Sequence, residues 1–101
     1  MNEHCLLNLV AAPAIEDALV DWLLGWPGLS GFTSVPVSGH GSSVHSMSVA
    51  EQVAGRRRQV LFQCHLSREQ AVDLVAGLRA DFAGSGLHYW VVPVLDAGHL
   101  N

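Results

Sequence analysis

The residues that could bind a ligand are concentrated in one segment. Gly39, His40 and Gly41 stand at its start, and three consecutive arginines, Arg56, Arg57 and Arg58, stand at its end. Glycine lets a ligand approach the backbone closely, and guanidinium groups hold phosphate or bicarbonate through paired hydrogen bonds. The pattern indicates an anion site. Two simpler interpretations stay open: glycines at a strand end often only make a turn, and a run of like charges is commonly a solvated patch.

Histidine and sulfur side chains offer a second chemistry, because Cu and Zn prefer imidazole and sulfur ligands. The candidate ligands are His40, His45 and Met47 in the same segment, and His4 and His65, with Cys5 and Cys64 close by, on two strands. Their spacing is not diagnostic of a metal site. Cu or Zn binding therefore remains an alternative to the anion site.

An enzyme is not indicated by the sequence. No nucleophile, base and orienting carboxylate form a motif. Cys64 and His65 are adjacent in a predicted strand, so their side chains point to opposite faces and do not make a catalytic dyad. We expect a binding protein.

Alternating strands and helices must position these residues. Hydrophobic periodicity predicts strands at residues 5–12, 31–37, 58–66 and 87–95. A first helix starts at Pro13 and ends at Gly25. A second follows the capping box of Ser67 and Gln70 and ends at the turn 84–86. The order βαββαβ is typical of a ferredoxin-like α+β fold, here one domain over residues 1–101.

Residues 38–57 show no sustained periodicity and are predicted to form a long loop, rich in Gly and Ser. Connections of this length are usually functional or disordered. Ser48 and Glu51 have the spacing of a second capping box, which predicts one or two helical turns inside the loop. The loop carries most of the candidate ligand-binding residues.

The first and third strands are antiparallel neighbours in this topology. Because alternate side chains of a strand point to opposite sides of the sheet, odd and even positions can be assigned to its two faces. The face predicted to lie under the helices holds Cys5, Leu7, Leu9, Val60, Phe62 and Cys64. The opposite face holds Leu6, Asn8, Val10, Leu61, Gln63 and His65. This second set mixes apolar and polar side chains, which is typical of a subunit interface with a few buried polar groups.

Composition supports self-association. The 101 residues include 5 Arg, no Lys and 9 Asp plus Glu, for a net charge of −4, and only 14% are charged although 50% are hydrophobic. An ordinary domain has roughly 25% charged residues. So few cations argue against nucleic-acid binding. No apolar run reaches the roughly 20 residues of a membrane span, and no signal-peptide pattern is present, so we expect a cytoplasmic protein without membrane insertion.

Several short motifs resemble a known family. They are GFT at 31–33, PVSGHG at 36–41, AEQVAGR at 50–56, QVLF at 59–62 and HYW at 88–90. With the βαββαβ order and the long loop after the second strand, they make the chain similar to the PII signalling family. The similarity is closest to a group of small PII-like proteins encoded beside heavy-metal efflux pumps of the RND type.

This resemblance implies a homotrimer whose long loop, the T-loop at 38–57, reports the occupancy of a cleft between subunits to a partner, here an RND-type efflux pump. It places a nucleotide or small anion at Gly39, His40 and Gly41, with the arginines at 56–58 as countercharge. CutA-type divalent-cation tolerance proteins share the trimeric fold, which keeps Cu or Zn binding open. A structural oligomer without a ligand is the third possibility.

Two departures from the PII pattern narrow the choice of ligand. The turn before the last strand is only Gly84-Ser85-Gly86, and the chain has no Lys to grip phosphates there. We therefore expect an adenine nucleotide with fewer than three phosphates, or bicarbonate, and not a triphosphate. The only tyrosine, Tyr89, lies in the last strand, so modification of a loop tyrosine is not expected.

Overall fold

A four-stranded antiparallel sheet with two helices makes up the part of the chain that the computed structural model describes, residues 3–41, 50 and 56–101. The elements are β1 (His4–Ala11), a 3-10 turn (Pro13–Ile15), α1 (Glu16–Leu24), β2 (Thr33–Gly39), β3 (Arg57–Ser67), α2 (Arg68–Asp81) and β4 (His88–Val94). The strand order is β2-β3-β1-β4. The ferredoxin-like α+β prediction is confirmed.

The core lies between the sheet and the helices. Alternation along β1 and β3 buries one set of side chains, as the parity argument predicts. Leu7, Leu9, Phe62 and Cys64 are fully buried, and α1 and α2 close over them with apolar stripes spaced three to four residues apart. The stripes are Leu19 and Leu23 on α1, and Ala71, Leu74, Val75 and Leu78 on α2.

Local signals fix the start of α2. The Ser67 hydroxyl accepts a hydrogen bond from the Gln70 backbone N–H at 3.2 Å, and the Gln70 side chain accepts one from the Ser67 N–H at 2.9 Å. The predicted capping box is confirmed. Gln70 also donates to the Gly28 carbonyl oxygen at 3.1 Å, which joins α2 to the turn between α1 and β2.

The strands differ slightly from their predicted bounds. β2 begins two residues later than predicted and runs two residues further, so that Ser38 and Gly39 belong to a strand and not to the loop. Pairing with β3 extends it, and β3 itself begins at Arg57. The first helix opens with a 3-10 turn at Pro13 before α1 begins. The predicted capping box at Ser48 and Glu51 lies outside the described residues.

Candidate functional site

The two ends of the long loop meet in a two-stranded stem, formed where β2 ends and β3 begins. Ser38 is paired with Arg58 and Gly39 with Arg57. His40 and Gly41 continue from β2 as exposed residues, and Arg56 lies exposed just before β3. The glycine-rich start and the arginine-rich end of the predicted anion site are therefore neighbours in space, at one end of the sheet.

A side chain at position 39 would have to displace the end of the Gln59 side chain. A Cβ atom at this position would lie 2.9 Å from Cδ of Gln59 and still closer to its Oε1, so the Gln59 carboxamide occupies the space that a side chain would need. Among the described residues, no atom beyond the chain neighbours of Gly41 lies within 4 Å of a Cβ atom at this position. Of the two loop glycines, Gly41 is therefore the one at which the described residues leave space for a ligand.

The three arginines do not project together. Arg57 and Arg58 are consecutive residues of β3, so their side chains leave opposite faces of the strand. Arg57 is half-buried on the face that also carries Gln59 and Leu61, whereas Arg58 is exposed on the helix-covered side. The guanidinium groups of Arg57 and Arg58 therefore belong to opposite faces of the stem.

The open face of the sheet, on the side away from the helices, carries every predicted interface residue of β1 and β3. Leu6 is paired with His65, Asn8 with Gln63 and Val10 with Leu61. Asn8 is only 4% exposed. Its Nδ2 donates to the Leu6 carbonyl oxygen at 3.3 Å, and its Oδ1 accepts from Gln63 Nε2 at 3.0 Å.

The open face also includes residues of the two outer strands that the sequence argument did not assign. Val35 on β2 is paired with Leu61, and on β4 Trp90 is paired with Asn8 and Val92 with Leu6. Their exposure lies between 38% and 41%. Parity would have found them once the strand order was known, because directly paired antiparallel residues share a face. An apolar surface thus runs across all four strands.

The histidines and cysteines are placed on different faces. The rings of His4 and His65 lie 5.0 Å apart, centroid to centroid, on the open face, whereas Cys5 and Cys64 are buried under the helices. Alternation turns the thiols away from the imidazoles, so these two sets of candidate ligands do not meet in one site. His40 lies at the loop stem, beside the start of β3, whereas His65 lies near the end of β3. His45 and Met47 lie outside the described residues.

No group of three or more His, Cys, Asp or Glu side chains that could hold a metal ion occurs among residues 3–41, 50 and 56–101. The Cu or Zn alternative therefore gains no support from this part of the chain.

Burial makes both thiols weak acids. Desolvation raises the pKa of Cys64 to about 11, from an ordinary value of 9.0. It also raises the pKa of Cys5, partly opposed by the charge of Arg68. The thiolate is the reactive form of cysteine, so both residues are suited to packing and not to nucleophilic or metal-binding chemistry.

Within the described residues, no helix has the length and apolarity required to cross a membrane.

The βαββαβ sheet, with a two-stranded stem at its long loop, defines a ferredoxin-like α+β protein. The family model described as "Protein of unknown function (DUF3240)" matches residues 1–101. The chain belongs to the DUF3240 family. No curated protein matches it in sequence.

Several solved structures have a similar fold. A DUF3240 family protein from Shewanella baltica OS155 is 26% identical, with a TM-score of 0.80 and 100% of both chains covered. CPII, a nitrogen regulatory PII-like protein from Thiomonas intermedia K12 bound to ADP, AMP and bicarbonate, is 19% identical, with a TM-score of 0.70 and 97% of both chains covered. CutA from Synechococcus elongatus PCC7942 is 13% identical, with a TM-score of 0.63, covering 93% of this chain and 79% of CutA.

Proposed function

We propose that this protein is a PII-like regulatory protein, not an enzyme, that senses an adenine nucleotide or bicarbonate at the loop stem. The supporting observation is the pairing of Gly39 with Arg57, which joins the glycine-rich start of the loop to its arginine-rich end. CPII, which shares the fold, was solved with ADP, AMP and bicarbonate. A guanidinium group can bind such an anion through two parallel hydrogen bonds.

The ligand is proposed to sit in a cleft between subunits of a homotrimer that closes through the open face. Leu61, Val35 and Trp90 expose apolar surface there, and a chain with 14% charged residues has little polar surface to spare. Exposed apolar surface of this extent marks interaction sites in soluble proteins.

The loop is proposed to report ligand occupancy to a partner in the cytoplasm, a heavy-metal efflux pump of the RND type. The support for this partner is the resemblance of the GFT, PVSGHG and AEQVAGR motifs to PII-like proteins encoded beside such pumps. Deleting the gene should change tolerance to the pump's metal, and complementation by an Arg57→Ala variant should fail if ligand sensing controls the pump.

Calorimetry of the full-length protein with AMP, ADP and bicarbonate tests the ligand site. Arg56→Ala, Arg57→Ala and Arg58→Ala are titrated beside Gly41→Val, which fills open space without disturbing Gln59. The loss of one charge-assisted hydrogen bond, worth roughly 1.5–3 kcal/mol, weakens binding about tenfold to a hundredfold. Arg68→Ala is the matched control, since Arg68 lies at the opposite end of β3.

Two results would contradict the proposal. Absence of binding by the wild-type protein removes the function, and unchanged affinity in all four stem variants removes the site. Gly39→Val is not a clean test, because its side chain would displace Gln59 whether or not a ligand binds.

The assembly is tested by sedimentation of Leu61→Glu. A charge buried without a partner in an interface is strongly destabilising, so we expect this variant to sediment as a monomer where the wild type sediments as a trimer. Leu24→Glu is the control, because Leu24 is an exposed apolar residue on α1, on the other side of the sheet. A monomeric wild type at micromolar concentration would refute the trimer.

A further inference from the structure

Strand pairing arranges the side chains of the open face in rows that run across the sheet. In the middle row, Thr33 of β2 is paired with Gln63 of β3, Gln63 with Asn8 of β1, and Asn8 with Trp90 of β4. Directly paired antiparallel residues share a face, and each of these four side chains carries a hydrogen-bonding group. We call these four residues the polar row. With neighbouring strands about 4.8 Å apart, it is about 14 Å long.

The two rows that border the polar row carry one histidine each and are otherwise apolar. Apolar side chains therefore lie on both sides of the polar row along most of its length. The bordering rows consist of Val35, Leu61, Val10 and His88 on one side, and of His65, Leu6 and Val92 on the other.

Hydrogen bonds within the protomer satisfy only the centre of the polar row. The Asn8 carboxamide uses both of its ends, since Nδ2 donates to the Leu6 carbonyl oxygen and Oδ1 accepts from Gln63 Nε2. Among the described residues, Gln63 Oε1 accepts no hydrogen bond and Trp90 Nε1 donates none. Gln63 is half-buried and Trp90 is exposed, so water can bind both groups only while the open face is uncovered.

The two groups left over are complementary. The indole N–H of tryptophan can only donate, and the carboxamide oxygen of glutamine can only accept. In one protomer Gln63 and Trp90 are two strands apart, about 10 Å between backbones, and do not pair. A second copy of the same face offers each group the partner it lacks. An entirely apolar surface would bury both groups without a hydrogen bond, which is costly.

We propose that the polar row selects the way in which copies of this chain assemble, with Trp90 Nε1 of one copy donating to Gln63 Oε1 of another. This inference rests on the trimer proposed above and adds the residues that decide its arrangement. A few polar side chains in an otherwise apolar interface can set the register and the number of subunits. In a closed symmetric assembly every copy makes the same contacts, so the same hydrogen bond forms at each interface.

Sedimentation velocity of a double variant tests the selection. Asn8→Leu with Gln63→Leu makes the middle of the open face apolar and leaves no unpaired amide in the protomer. We expect the wild type to form one assembled species, the trimer, and the double variant to form assemblies of several sizes. Gln59→Leu is the matched control, because it makes the same change on the same face of β3 outside the polar row. It should form the trimer alone.

The hydrogen bond between copies is tested by dilution of a single variant. Trp90→Phe keeps an aromatic ring and removes the donor, so we expect the dissociation constant of the trimer to rise about tenfold. Tyr89→Phe is the control, because the Tyr89 hydroxyl lies on the other face of β4, where it accepts from Arg79. This variant should leave the dissociation constant unchanged.

The outcomes separate this inference from the trimer itself. A double variant that forms only the wild-type trimer, or that is only monomeric, would overturn the inference and leave the trimer standing. Equal dissociation constants for Trp90→Phe and Tyr89→Phe would do the same. A monomeric wild type would overturn the trimer and this inference together.

Discussion

Phe62 and Leu61 are neighbours on β3, yet Phe62 is completely buried beneath the helices while Leu61 is half-exposed on the open face. The buried part of the covered face, from Cys5 to Ala11 on β1 and from Val60 to Leu66 on β3, carries only apolar side chains. The open face places an amide pair, the buried Asn8 and the half-buried Gln63, among apolar residues. A face that only had to stay dry would not carry these amides, and a face that only met water would not carry Leu6 or Leu61. The difference indicates that the covered face stabilises the protomer, and it supports the proposal that the open face is a subunit interface.

Removing a large side chain from each face measures that difference most directly. Phe62→Ala should lower the free energy of unfolding by about 3–5 kcal/mol, because the cavity forms in the centre of the core. Leu61→Ala removes a half-exposed side chain and should cost about 1 kcal/mol in a dissociated protomer. Urea unfolding at low protein concentration measures both. Equal losses would show that the two faces contribute alike to the protomer.

The buried thiol of the covered face should make stability depend on pH. The pKa of Cys64 is about 11 when folded and 9.0 ordinarily. The neutral Cys64 thiol contributes fully to the free energy of unfolding below pH 9. This contribution is lost as pH rises through 11, because the thiol ionises at lower pH in the unfolded state than in the folded state. The loss is about 2–3 kcal/mol at 1.36 kcal/mol per unit. Cys64→Val, which cannot ionise, should lack this part of the decline in denaturant unfolding from pH 8 to 11.

The amide pair gives the corresponding test on the open face. Gln63→Leu removes the donor to the nearly buried Oδ1 of Asn8. An unsatisfied buried amide should cost about 1–2 kcal/mol. The double variant Asn8→Leu with Gln63→Leu should recover most of that loss, since replacing both partners leaves no unpaired group. A double variant as unstable as the single one would mean that the pair contributes packing and not polarity.

Alternation made the two faces predictable. The assignment of Cys5, Leu7 and Leu9 to one face and of Leu6 and Val10 to the other followed from parity, and β1 obeys it along its length. The start of α2 was predictable for a similar reason, because a capping box is a contact within four residues. Local periodicity and local hydrogen bonds determine these features.

Features that depend on distant contacts were not predictable. β2 reaches Gly39 because β3 pairs with it, and the close approach of Gln59 to Gly39 exists only in that pairing. The roles of Val35 and Trp90 on the open face required the strand order. The separation of Arg57 from Arg58 required the exact start of β3. Sequence reasoning therefore named the two loop ends that the pairing of Gly39 with Arg57 brings together, but it could not give the directions of the arginine side chains.

The smallest expected change in the free energy of unfolding concerns the start of α2, one of the two helices that pack on the covered face. α2 begins at a reciprocal cap in which Ser67 and Gln70 satisfy each other's backbone N–H groups. Ser67→Ala leaves the Gln70 N–H without its partner and should lower the free energy of unfolding by about 1 kcal/mol, whereas Ser67→Gly should cost only a few tenths. Ser30→Ala, at an exposed position in the irregular segment before β2, is the matched control and should have no measurable effect in urea unfolding. Since Ser67 also ends β3 and is paired with His4, a loss well above 2 kcal/mol would mean that the residue holds the sheet and not merely the helix end. No loss at all would mean that packing of α2 against β1 and β3 alone determines where the helix begins.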